Sequence, residues 1–103
     1  MKKFRKIINS TIPTLVDFYA NWCAPCRMMA PLFEQLKKEW GNNLRIIKIE
    51  LDSNPRIAGY YNIRSIPAIL FFKEGKTIWT GMGSRSFDDI NKEISKFIQF
   101  QNS

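Results

Sequence analysis

Residues 14–33 read TLVDFYANWCAPCRMMAPLF, and this stretch decides the fold. Thr14 to Ala20 is a short, near-continuous apolar run rich in β-formers, which reads as a strand buried on both faces. Pro25 suits the first turn of a helix, where a missing N–H costs nothing. Met29, Leu32, Phe33, Leu36 and Trp40 then share one helical stripe, and Gly41 stops it. Pro31 lies inside that helix and should kink it. Cys23 and Cys26 stand where strand gives way to helix.

Upstream, Phe4, Ile7 and Ile8 have the spacing of a short helix, and Pro13 prevents its continuation. Downstream, residues 44–51 (LRIIKIEL) form a second β run. Ser53 or Asn54 can cap a short helix with Pro55 at its first position. Ala68 to Phe72 is a third strand and Thr77 to Thr80 a fourth, joined by a hairpin turn at residues 73–76. Ser86 to Asp89 has a capping-box pattern ahead of a helix faced by Ile90, Ile94, Phe97 and Ile98. The order α-β-α-β-α-β-β-α predicts the α/β class. The β-α-β units imply parallel strands, the hairpin adds an antiparallel edge, and helices cover both faces of a mixed sheet.

The chain has 103 residues, 45% of them apolar, which fits one domain spanning residues 1–103. It contains no histidine, which excludes His-based acid–base catalysis, the Ser-His-Asp triad and most zinc sites. Sixteen basic against nine acidic residues give +7, which favours acidic partners. The charges are scattered along the sequence, densest at Lys2, Lys3, Arg5 and Lys6, so a solvated basic start is expected and nucleic acid is not. No segment approaches the roughly 18 apolar residues that span a bilayer. The N-terminus lacks the about 7–15 apolar residues of a secretory core segment, so a cytoplasmic location without membrane association is expected.

Cys23-Ala24-Pro25-Cys26 carries the chemistry. Thiol exchange needs a thiolate, and the unpaired N–H groups at a helix start stabilise one. Two intervening residues bring the sulfurs within reach of each other. Cys23 is then the exposed candidate nucleophile and Cys26 the deeper, resolving thiol. A packing pair, a passive disulfide and half a zinc site are the bland alternatives. Two thiolates without histidine leave zinc two ligands short, and a disulfide closing so small a loop removes little entropy from the unfolded chain. Asp17 inside an apolar strand is costly unless neutralised or paired. Lys48 is equally odd within LRIIKIEL, and if the two strands are neighbours the pair can meet behind the cysteines.

Val16-Asp17-Phe18-Tyr19-Ala20, then Trp22-Cys23-Ala24-Pro25-Cys26, then Met29-Ala30-Pro31 resemble the thioredoxin family. So do Ile63 to Pro67 ahead of an apolar strand, Phe72 to Lys76 after it, and Gly81 and Gly83 before the last helix. The resemblance runs over about residues 4–98. It implies the thioredoxin fold and dithiol–disulfide exchange with protein substrates, recycled by a thioredoxin reductase. It implies a cis bond before Pro67, set opposite the cysteines, and a role for Asp17 in handling the Cys26 proton. Such a bond would leave the Ile66 backbone open to an extended substrate strand, with Trp22, Ala24, Pro25, Ile66, Pro67, Met82 and Gly83 forming the docking surface.

Ala24 stands where the family usually has Gly, Tyr19 where Trp is frequent, and Ala68 where Thr is common. Residues 1–3 leave no room for the family's leading strand, so four strands are expected, with LRIIKIEL at an edge and the charges of Arg45 and Lys48 keeping the protein a monomer. The expected function is that of a protein-disulfide reductase with Cys23, Cys26, Asp17 and Lys48 at its centre, no metal and no cofactor beyond the Cys23–Cys26 disulfide. An extracytoplasmic thioredoxin-like protein and a redox-independent binding subunit are the alternatives.

Overall fold

The computed structural model describes residues 1–98, and residues 99–103 at the end of the expected domain lie outside the described residues. Its centre is β1 (Thr14–Tyr19), buried along nearly its whole length. Helix α1 (Lys2–Ile8) precedes it. After it come α2 (Ala24–Met28), α3 (Ala30–Trp40), a single 3-10 turn at Gly41–Asn43, and β2 (Arg45–Glu50). Then follow α4 (Pro55–Tyr60), β3 (Ala68–Lys73), β4 (Lys76–Met82) and α5 (Phe87–Ser95).

The four strands form one mixed sheet in the order β2-β1-β3-β4, so β2 is an edge as expected. β2 runs parallel to β1, with Asp17 in register with Lys48, while β1–β3 and β3–β4 are antiparallel. The expectation that every β-α-β unit gives parallel strands therefore fails at its second instance. The reason is length. A six-residue strand is about 20 Å long, and the sixteen residues of α2 and α3 rise about 24 Å, enough to carry the chain back. α4 rises only about 9 Å, so the chain enters β3 from the end where β2 left off.

The kink expected at Pro31 is a full break at Met29, between α2 and α3. Proline has no N–H to donate, and its ring collides with the carbonyl four residues back, in the last turn of α2. The chain crosses the gap with tighter bonds, Met29 N–H to the Cys26 carbonyl at 3.2 Å and Leu32 N–H to the Met29 carbonyl at 3.0 Å.

Alternation along the strands sends side chains to two cores. Leu15, Ile69 and Phe71 pack with Phe33, Leu36, Trp40, Ile90 and Ile94 under α3 and α5. Val16, Phe18, Leu70 and Phe72 pack with Phe4, Ile8, Ile57 and Ile63 under α1 and α4. The hairpin turn puts Glu74 at φ 51° and Gly75 at φ 83°, the backbone of a tight two-residue connection. Ser86 caps α5 through the Asp89 N–H at 3.1 Å. Asn54 stands before α4 without capping it, its side-chain amide donating to the Glu50 carbonyl instead, at 2.9 Å.

Candidate active site

β1 delivers the chain to the sheet end, where the Cys23 N–H closes a turn onto the Ala20 carbonyl at 3.1 Å. Cys23 is the N-cap of α2, in extended conformation, and its Sγ accepts the Cys26 backbone N–H at 3.2 Å. A sulfur takes the place that Ser or Asp usually fills at a helix start, and the same donor that caps the helix stabilises negative charge on it. Cys23 and Cys26 are joined in a disulfide with Cα atoms 5.3 Å apart.

Both cysteines are buried, at 4% and 5% exposure, which corrects the expectation of an exposed Cys23 over a deeper Cys26. They pack with Ala20 into a small cluster closed by Tyr19 and Ile66. The exposed side chains are their neighbours. Trp22 is 67% exposed, and its Nε1–H donates to Asp52 Oδ2 at 3.0 Å. Arg27 Nη1 donates to the Asn21 carbonyl at 2.6 Å, fixing the start of the loop to α2.

The remaining expected docking residues converge here. The Ile66–Pro67 bond is cis. Ile66 packs on the cysteine cluster, and the Pro67 carbonyl accepts the Gly83 N–H at 2.8 Å. Met82 is exposed and in register with Ala68, while Ala24 and Pro25 are exposed at the head of α2.

Asp17 is buried, at 4% exposure, and its carboxyl is pushed up to about 6, chiefly by loss of solvation, with Lys48 pulling weakly the other way. The expected meeting with Lys48 holds in register only. Among the described residues the one ion pair within 4 Å is Lys96–Glu93, and the Lys48 side chain is exposed at the sheet edge. A lysine on an edge strand reaches water at little cost, whereas Asp17 one strand inward cannot. The two line one cavity of about 390 Å³ together with Tyr19, Cys26, Arg27 and Ala30. Cys26 thus faces the buried carboxyl across that space, and Cys23 does not line it.

Tyr19, Arg27 and Asp52 are parts of the site that sequence reasoning missed. Asp52 had a usable signal: it follows the end of a strand parallel to β1, so it must emerge beside Trp22. Among the described residues no cluster of three or more His, Cys, Asp or Glu could hold a metal ion.

A family model described as Thioredoxin matches residues 1–96. The chain is 38% identical over 94 residues to the thioredoxin of Pyropia yezoensis, a match covering 91% of this chain and 88% of that one. It is 40% identical over 80 residues to thioredoxin 1 of Synechococcus elongatus, covering 78% of this chain and 75% of the other. The oxidised form of mitochondrial thioredoxin 3 from Saccharomyces cerevisiae superimposes with a TM-score of 0.85 at 29% identity, over 93% of this chain and 89% of that one.

Proposed function

The chain belongs to the thioredoxin family, and on that premise we propose how its residues divide the work of disulfide exchange. It is a thiol–disulfide oxidoreductase, a protein-disulfide reductase, with a redox-active cysteine pair at the head of α2. In the reduced form the Cys23 thiolate attacks one sulfur of a substrate disulfide. A mixed disulfide forms and the other substrate sulfur leaves as a thiolate. Cys26 then gives up its proton to Asp17 and attacks Cys23 Sγ. The second substrate thiol departs, and two electrons have passed to the substrate, leaving the disulfide present here.

The observation that carries this division is the asymmetry around the sulfurs. Cys23 Sγ receives the backbone N–H that favours a thiolate, while Cys26 shares its cavity with Asp17. A carboxyl titrating near 6 is mostly ionised at pH 7 and still basic enough to accept a proton. Lys48, exposed on the same cavity wall, offsets part of the rise that burial imposes on that carboxyl.

Substrate docks as an extended segment along Ile66 and Pro67, with Trp22, Ala24, Pro25, Met82 and Gly83 as its apolar bed. Electrons return by dithiol exchange with a thioredoxin reductase, and no bound cofactor is needed. The protein acts as a single-domain monomer in the cytoplasm, where thiols are kept reduced. Among the described residues no helix is long and apolar enough to cross a membrane. The deciding experiment is reduction of insulin disulfides, driven by NADPH and a thioredoxin reductase. Turnover is expected with the native chain and none after Cys23→Ser. Turnover that survives the loss of Cys23 would overturn the assignment.

A further inference from the structure

The positive surplus read as scattered in the sequence is gathered by the fold on one face. α1, α4 and the segment 61–66 cover the same side of the sheet, packed over one core. They carry Lys2, Lys3, Arg5, Lys6, Arg56 and Arg64 and no acidic residue. Arg45 joins them, its guanidinium reaching the Ile7 carbonyl at 3.4 Å. On the opposite side, α2, α3 and α5 with its C-cap Lys96 hold five acids, Glu34, Glu39, Asp88, Asp89 and Glu93, against five cations. The rest of the chain also balances, four against four, so the seven cations of this one face account for the whole net charge of +7.

The face has the chemistry of a contact surface. Lys2, Lys3, Arg5, Lys6, Arg56 and Arg64 are all exposed, and among the described residues the single ion pair within 4 Å lies on the other side of the sheet. Tyr60 is 64% exposed, with the Arg5 guanidinium 5.6 Å from its ring centre. The face also runs into the dithiol. Arg64 lies two residues before Ile66, which packs on the cysteines. α4 leaves the sheet end where the Leu51 N–H closes on the Tyr19 carbonyl. α1 packs over the same core as α4, with Phe4 against Tyr61 at 5.6 Å and the Arg5 guanidinium over Tyr60, so its cations adjoin those of α4.

We propose that this cationic face selects protein substrates whose disulfide is flanked by acidic segments, holding the acidic flank over α1 and α4 while the disulfide sits at Cys23. The inference rests on the disulfide-reductase reading and names its preferred substrate class. Like-signed charges with no acid on the same elements raise the local concentration of an acidic partner and its rate of encounter, and salt weakens the effect. Continuity with the dithiol favours a protein substrate over other polyanions.

The test compares three peptides containing the same intramolecular disulfide, flanked by a run of Glu, of Ser or of Lys. At about 10 mM ionic strength the native protein should reduce the Glu peptide with a kcat/KM about tenfold or more above that of the Lys peptide. The gap should close near 1 M salt, where the Debye length is about 3 Å. In the Lys3→Glu/Arg56→Glu double variant the ratio of the Glu to the Ser peptide should collapse. In the Lys38→Glu/Lys92→Glu variant, with the same total charge but the change on the opposite side, the ratio should persist. Equal rates on the three peptides, or collapse in both variants alike, would overturn the proposal while leaving the reductase reading intact. Failure to reduce the Ser peptide at all would overturn that reading and this inference with it. Tighter binding of a single-stranded oligonucleotide or of phosphatidylserine vesicles than of the Glu peptide would also overturn it.

Discussion

Each end of the sheet carries a pocket open to solvent, and the larger of these two is not at the cysteines. At the end away from the cysteines a pocket of about 470 Å³ is lined by Thr11, Ile12, Pro13, Asn42, Asn43, Lys73, Phe97 and Ile98. Its one charged side chain, Lys73, donates to the Phe97 carbonyl at 3.5 Å. The smaller cavity, about 390 Å³, holds a sulfur, a buried carboxyl and two cations. Volume is indifferent to chemistry, whereas a carboxyl held out of water is unstable enough to need a use.

The ends also differ in how backbone groups are closed. Away from the cysteines they are tied by local and cross-element bonds. The Glu74 N–H reaches the Ser10 carbonyl at 3.3 Å. Lys37 Nζ bridges the Gly41 and Leu44 carbonyls at 2.8 and 2.7 Å. At the cysteine end, exposed Trp22 and Met82 flank buried sulfurs, a surface shaped to be covered by something else. One end is built for stability and the other gives some of it up.

That contrast can be broken most sharply at the sulfurs. Cys23→Ser should remove disulfide exchange altogether, whereas Cys26→Ser should keep the first attack and accumulate substrates as mixed disulfides on Cys23. Non-reducing electrophoresis with a disulfide substrate reads this directly, and trapping by the Cys23→Ser protein would reverse the two roles. Brief alkylation of the reduced native protein near pH 7 should label Cys23 first.

Asp17→Asn should separate activity from stability. Losing the proton acceptor should slow release of the mixed disulfide, by up to about 10²–10⁴-fold if the group is fully used. Stability should move the other way. The Asp17 carboxyl titrates at about 6 in the folded chain against 3.8 for its ordinary value, so the folded state holds the proton more tightly. The Asp17 contribution to stability is therefore fully present below about pH 4 and is lost as pH rises through 6, by on the order of 3 kcal/mol. Denaturant titrations should show the Asn variant more stable at pH 8, with the advantage vanishing toward pH 4. No difference at pH 8 would mean that the native carboxylate is well solvated.

The opposite end should respond in stability alone. Gly75 sits at φ 83°, and a Cβ there would meet Asn9 Oδ1 at 2.9 Å. Gly75→Ala should cost about 1–2 kcal/mol in thermal unfolding with insulin reduction unchanged. Lys37→Ala leaves two carbonyls without their bridge and should cost about 0.5–1.5 kcal/mol. Sedimentation of the native protein should find a monomer at micromolar concentration, because Arg45 and Lys48 on the exposed edge strand β2 discourage edge-to-edge pairing, and a stable dimer would show that they do not.

Local spacing determined most of the elements. The strand–turn–helix around Cys23 and Cys26, a disturbance of the helix at Pro31 (expected as a kink, found as a full break), the hairpin at residues 73–76 and the Ser86 cap depend on residues within one or two turns of each other, and such signals are printed in the order of the chain. The unusual Asp17 and the cysteine pair were legible for the same reason, since a carboxylate or a reactive sulfur in an apolar run is conspicuous without any partner.

What the sequence left to the tertiary structure was everything set by the return of the chain. The antiparallel placing of β3 depended on α4 being too short to span a strand. The burial of Cys23 depended on Ile66, a residue distant in sequence, arriving to close over it. Asp17 and Lys48 matched in register but did not pair, because one lies inside the sheet and the other at its edge. The charges of α1 and α4, some fifty residues apart in sequence, became one face only when both helices packed on the same core, since pairwise contact between distant segments is decided by which side of the sheet each one covers.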